Sequence, residues 1–76
     1  MGYKTGYNKV MTLEFNLDEV LKNKNMNMSQ AAKLCDITYP TILGIVKNTH
    51  TRIDLLTISK LVTGLNVEIS DLFRTK

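Results

Sequence analysis

Between Ile37 and Ile53 the chain carries no acid, yet Lys47, His50 and Arg52 cluster there behind the hydroxyls of Thr38, Tyr39 and Thr41. Cationic side chains contact phosphate oxygens, while hydroxyls give single hydrogen bonds to phosphates or base edges. The pattern therefore suits contact with a polyanion. Ten Lys and Arg against seven Asp and Glu give a net charge of +3, a mild bias in the same direction. Six of the seven acids (Glu14, Asp18, Glu19, Asp54, Glu68 and Asp71) lie at or near expected helix starts, where the helix dipole favours them. Catalysis has little to work with. Cys35 and His50 are fifteen positions apart with no orienting group, and no Ser/His/Asp set, phosphate-cradling loop or metal cluster is present in the sequence. The expectation is a non-enzyme that needs no cofactor and no metal.

The stretch from Asn27 to Asn48 predicts the elements that would carry these groups. Asn27 with Gln30 three residues later has capping-box spacing and opens a helix. Ala31, Ala32 and Cys35 put small side chains where another helix must come close. Asp36-Ile37-Thr38 breaks the run, Thr38 caps a second helix, and Pro40 falls in its first turn, where a missing N–H costs no bond. Ile42, Ile45 and Val46 supply an apolar stripe. A small-residue helix, a tight apolar turn and a capped second helix make a helix-turn-helix, a motif that most often reads DNA.

The rest of the chain predicts three more helices and a strand. Residues 1–10 are a flexible basic arm and 11–76 a single domain. Met11, Leu13 and Phe15 alternate with Thr12 and Glu14, a short strand that needs an edge to pair with and so hints at a partner such as a second copy. Asn16 and Glu19 predict a capping box for the first helix, with a staple from Phe15 to Val20, running to about Lys24. Asp54 caps the fourth helix, and Gly64 with Asn66 marks its end. A fifth short helix spans about Glu68 to Phe73 and offers Ile69, Leu72 and Phe73 to the core. The expected core is Leu17, Leu21, Ala32, Ile42, Ile45, Ile58, Leu61, Leu65 and Leu72. At 76 residues with one cysteine, the fold must rest on packing alone or on a partner chain. No apolar run approaches the roughly 20 residues of a membrane helix, and Met1 to Val10 is too polar for a signal peptide. A cytoplasmic protein is expected.

From Leu13 to Phe73 the chain resembles the Cro/CI-type (XRE-like) helix-turn-helix domains of bacterial and phage regulators. FNLDEVLKNKNMN, MSQAAKL-CDIT and RIDLLTISKLVTGLNVEISDLF carry the resemblance, above all the closing Val-x-x-x-Asp-Leu-Phe pattern. It implies an all-α, compact five-helix domain behind a short N-terminal arm or strand. It also implies binding in the DNA major groove and action as a homodimer on a two-fold operator. By the same resemblance, Ala32 is the small residue that lets the third helix approach, Ile37 and Ile42 flank the turn, and Thr38 is its cap. Lys47-Asn48 stands at the usual Gly-containing stop, where Asn48 can adopt a left-handed conformation. Asp36 replaces the common turn glycine and is expected either to strain the turn or to take positive φ.

The outward face of the third helix, Tyr39, Pro40, Thr41, Leu43, Gly44 and Lys47, lacks the Gln, Asn or Arg that pair bidentately with purines. Tyr39 and Thr41 can make one bond each, Leu43 can meet a thymine methyl, and Gly44 lets backbone approach the groove. The candidate DNA-contacting residues are Gln30, Thr38, Tyr39, Thr41, Leu43, Lys47, His50 and Arg52. Gln30 has two competing roles, a phosphate contact or the return bond of the capping box. The expected function is a DNA-binding regulator, a repressor of phage or mobile-element type, with double-stranded DNA and a second copy as partners and no small-molecule effector evident. The alternative is a protein-binding module on the same fold, such as an antirepressor, antitoxin or phage inhibitor of a host complex. It is motivated by the apolar, Gly- and Pro-bearing helix face.

Overall fold

Four helices and a two-stranded sheet surround one apolar core in the computed structural model, which describes residues 12–50 and 52–75. The order is β1 (Leu13–Phe15), α1 (Leu17–Asn23), α2 (Met28–Cys35), α3 (Tyr39–Val46), α4 (Leu55–Leu65), a 3-10 turn (Ile69–Leu72) and β2 (Phe73–Thr75). All nine expected core residues are buried, joined by Phe15, Val20, Ala31 and Cys35. The basic arm, Met11 and Thr51 lie outside the described residues. No helix among the described residues is long and apolar enough to cross a membrane.

Caps start the helices where the sequence places them, with two exceptions. At α2 the capping box is complete: Gln30 N–H donates to Asn27 Oδ1 (2.8 Å), and Asn27 N–H donates to Gln30 Oε1 (2.9 Å). Asp54 Oδ1 accepts from Thr57 N–H (2.8 Å) at the start of α4. Thr38 does occupy the N-cap position of α3, but its side chain makes no cap bond. Its hydroxyl instead meets that of Thr41 at 2.9 Å. Asn16 likewise stands at the N-cap of α1 without a side-chain cap bond, its backbone not extended and its amide engaged elsewhere. Oδ1 accepts from Arg74 Nη1 (2.9 Å) and Nδ2 donates to the Asp71 carbonyl (3.4 Å), so the residue ties α1 to the C-terminal strand.

Each helix ends on a left-handed Asn or Asp, with no glycine in that role: Asn25, Asp36, Asn48 and Asn66 have φ between 54 and 57°. The chain then folds back through backbone bonds from Met26 to Leu21, Ile37 to Ala32, Thr49 to Gly44 and Val67 to Val62. These are the closing bonds of a Schellman motif, and short polar side chains are the L-residues that tolerate it best. Asp36 thus takes the positive φ that the tight turn demands. Gly64 lies inside α4, and Asn66 makes the stop. The glycine serves packing instead: a Cβ there would lie 2.7 Å from Cys35 Sγ and 2.9 Å from Cys35 Cα. Small residues on both helices let α2 and α4 touch.

The expected fifth helix is a 3-10 turn followed by a strand. Antiparallel pairing of β1 with β2 aligns Leu13 with Thr75, Glu14 with Arg74 and Phe15 with Phe73. Asn16 N–H donates to the Leu72 carbonyl (2.7 Å), and the Phe15 and Phe73 rings pack at a tilt of 31° with centroids 5.0 Å apart. These cross-strand bonds hold Phe73 extended, so the helical turn cannot continue past Leu72. Leu72 is buried as expected, but Ile69 is exposed. Arg74 completes the closure by reaching Glu14 Oε2 (2.5 Å) and Asp18 Oδ1 (3.1 Å). The bond to Glu14, foremost, holds the guanidinium even more firmly protonated than usual. The strand therefore finds its edge within its own chain.

Candidate nucleic-acid interface

The turn between α2 and α3 sets the site. Ile37, pulled back by its bond to the Ala32 carbonyl (3.0 Å), is half-buried and packs on the core, while Asp36 faces solvent. Lys60 reaches over from α4 to the Asp36 carbonyl oxygen (3.1 Å), with the carboxylate 3.8 Å away. Ile42 and Ile45 anchor α3 in the core. Tyr39, Pro40 and Lys47 are exposed along its outer side, and Thr41, Leu43 and Gly44 are half-buried. The eight candidate residues thus fall on α2's first turn, on the N-cap and body of α3, and on the segment that follows it.

Their chemistry is more constrained than their types alone suggest. Gln30 turns its carbonyl end to the cap, so its amide nitrogen is the end left to donate. The Thr38 and Thr41 hydroxyls are bonded to each other, which couples the two contacts. Tyr39 is 43% exposed at the start of α3. Between α2 and α3 lies an open cleft of about 400 Å³ whose lining includes Ser29, Lys33, Thr38 and Tyr39.

Three residues that the sequence reading left out of the site position it. Asn48, left-handed after α3, forms a reciprocal pair with β1: Phe15 N–H donates to Asn48 Oδ1 (2.6 Å), and Asn48 Nδ2 donates to the Phe15 carbonyl (3.1 Å). The side chain thereby acts as a one-residue strand. Phe15 is the receiving end, and its bonds with Asn48 span 33 positions of sequence. Thr49 ties the loop back onto the helix, with its N–H (3.0 Å) and Oγ1 (3.2 Å) both donating to the Gly44 carbonyl. Only the left-handed tolerance of Asn48 was a sequence signal; its partner in β1 carried none. His50 and Arg52, both exposed, border a second cleft of about 440 Å³ with Glu14, Phe15 and Ile53. Glu14 is held by Arg74 on that border.

Cys35 is buried between α2 and α4, and burial pushes its thiol pKa up. That is the behaviour of an inert packing residue. Among the described residues no group of three His, Cys, Asp or Glu side chains could hold a metal ion.

Two helices joined by a three-residue turn, the second anchored by Ile42 and Ile45 and exposed along its outer side, make this a helix-turn-helix protein. The model of the Cro/C1-type HTH DNA-binding domain matches residues 16–76, and the chain belongs to that family. The domain that this family defines is a DNA-binding one. The crystal structure of the transcriptional regulator VanUg (form II) is similar in fold, with a TM-score of 0.69 over 97% of each chain at 17% sequence identity. No curated protein matches this sequence.

Proposed function

We propose that this protein is a repressor of phage or mobile-element type that places α3 in the major groove and binds as a homodimer. The carrying observation is the acid-free segment from Ile37 to Ile53, which holds the whole of α3 and the basic loop behind it. Tyr39, Thr41 and Leu43 meet the groove. Lys47, Arg52, Thr38 and the amide of Gln30 meet phosphates on either side. With so few base-reading groups on α3, most of the affinity comes from the backbone contacts. A homodimer fits the two-fold operators such domains use, and Leu13, Leu55 and Ile69 supply exposed apolar surface for it. The segment's freedom from acids favours DNA over the protein-binding alternative. The arm of residues 1–10 is a further source of phosphate contacts.

Fluorescence titration of duplex DNA at several salt concentrations tests this. Lys47→Ala and Arg52→Ala should each weaken binding to every sequence alike and flatten the slope of log K against log salt by about one unit. Absence of salt-dependent duplex binding at low ionic strength would overturn the proposal in favour of the protein-binding alternative.

A further inference from the structure

The outer face of α3 has a gap at Gly44, one turn beyond Pro40, and the loop fills it. A Cβ built on Gly44 would fall inside contact distance of His50 Nε2, 2.8 Å from Cδ2 and 3.1 Å from Cε1. The imidazole therefore sits where a helix residue's own side chain would start. Thr49 holds the loop there through its two bonds to the Gly44 carbonyl. His50 itself stays exposed. A helix that lacks its own Gln, Asn or Arg thus carries, on its outer side, an imidazole whose Nε2 lies against Gly44 and whose Nδ1 is the nitrogen farther from it.

We propose that His50, seated in the Gly44 gap, is a base-reading group of this protein, supplying from the loop the sequence discrimination that α3 does not supply itself. Gly44 is then a positioning residue, because only the absence of its Cβ lets the ring lie against the helix. This rests on DNA entering at α3, and it moves His50 from phosphate contact to base contact. An imidazole fits a purine edge, since a nitrogen bearing hydrogen donates to guanine O6 or N7. Lys47, exposed at the C-cap of α3, adds charge without sequence choice.

Gly44→Ala isolates the effect. The atoms it strikes are the far end of one exposed side chain, so the ring swings away while the backbone stays, and alanine is the better helix former. Duplexes selected from a pool with a randomised core give a best site, and titration against that site and a scrambled duplex gives the specificity ratio. His50→Ala and Gly44→Ala should each lower the ratio at least about fivefold, the low end of one base contact. The double variant should fall no further than either alone, and binding to the scrambled duplex should change little. The His50 ring resonances should shift on titration with the best site more than with the scrambled one. An unchanged ratio in both single variants overturns the proposal while leaving DNA binding intact. Equal loss on both duplexes also overturns it, by making His50 a phosphate contact. If the wild-type protein binds no duplex at all, the DNA entry at α3 fails first, a result distinct from either of these.

Discussion

Replacing Asn48 with glycine should destabilise this protein, whereas the same change at Asn66 should not. Both residues sit just past a helix end in nearly the same left-handed conformation, with φ of 57° and 54°. The backbone consequences are therefore alike. Glycine relieves a left-handed cost of at most about 1–2 kcal/mol, smaller for Asn, and adds roughly 0.4–1 kcal/mol of unfolded-state entropy. Asn66→Gly should fall within about 1 kcal/mol of wild type. Asn48 also holds both backbone groups of Phe15. Two hydrogen bonds at about 0.5–1.5 kcal/mol each put Asn48→Gly about 1–3 kcal/mol below Asn66→Gly, and more if the part-buried Phe15 groups find no water. In so small a domain that difference corresponds to at least about 4 °C in Tm. Urea unfolding of both variants gives the comparison, because the backbone terms cancel. Asn48→Asp adds a control: it keeps the left-handed tolerance and an acceptor but sets an oxygen against the Phe15 carbonyl, so it too should destabilise. If the two glycine variants agree within about 0.5 kcal/mol, the side-chain bridge contributes nothing and the reasoning is wrong.

Gly64→Ala should destabilise by about 1–2 kcal/mol despite alanine's helix propensity, because the new Cβ would meet the backbone of Cys35; thermal unfolding beside Gly44→Ala, which strikes only the far end of an exposed side chain, checks the contrast. Asp54's pKa is lowered first by its hydrogen bond from Thr57, so its stabilising contribution is present above the unfolded carboxylate's pKa and is lost as pH falls through the folded value. Asn also caps helices but does not titrate here. Any Tm advantage of wild type over Asp54→Asn at neutral pH should therefore shrink below about pH 4, and a constant difference across that range would contradict the assignment.

Much of the helical fold was legible because its signals are local. The Asn27–Gln30 box, the Asp54 cap and the apolar stripes of α3 and α4 depend only on residues three or four apart, and all survive in the structure. The misreadings share a different origin. Phe73-Arg74-Thr75 becomes a strand because Leu13-Glu14-Phe15 lies beside it, 60 positions away across the Glu14–Arg74 pair. Asn16 has a cap's type and spacing, yet Arg74 and the Asp71 carbonyl claim its amide. A hydrogen-bonding side chain shows in sequence what it can do, not which distant partner will hold it.

The same division runs through the candidate site. Its charge pattern was visible as an acid-free run, and the left-handed turns at Asp36 and Asn48 followed from residue type. What the sequence concealed was that Gly44 and His50 form one feature. Read singly, a glycine on an outward helix face suggests close backbone approach to a groove, and a histidine in a polar loop suggests only a solvated loop. Asn48 in the left-handed conformation reverses the chain, Thr49 fastens it to the Gly44 carbonyl, and the next side chain is delivered over the helix it has just left. The reversal makes two neighbours of residues six apart, with the gap in one filled by the ring of the other. Changing Gly44 therefore changes what His50 can touch, so the two positions must be tested as a pair.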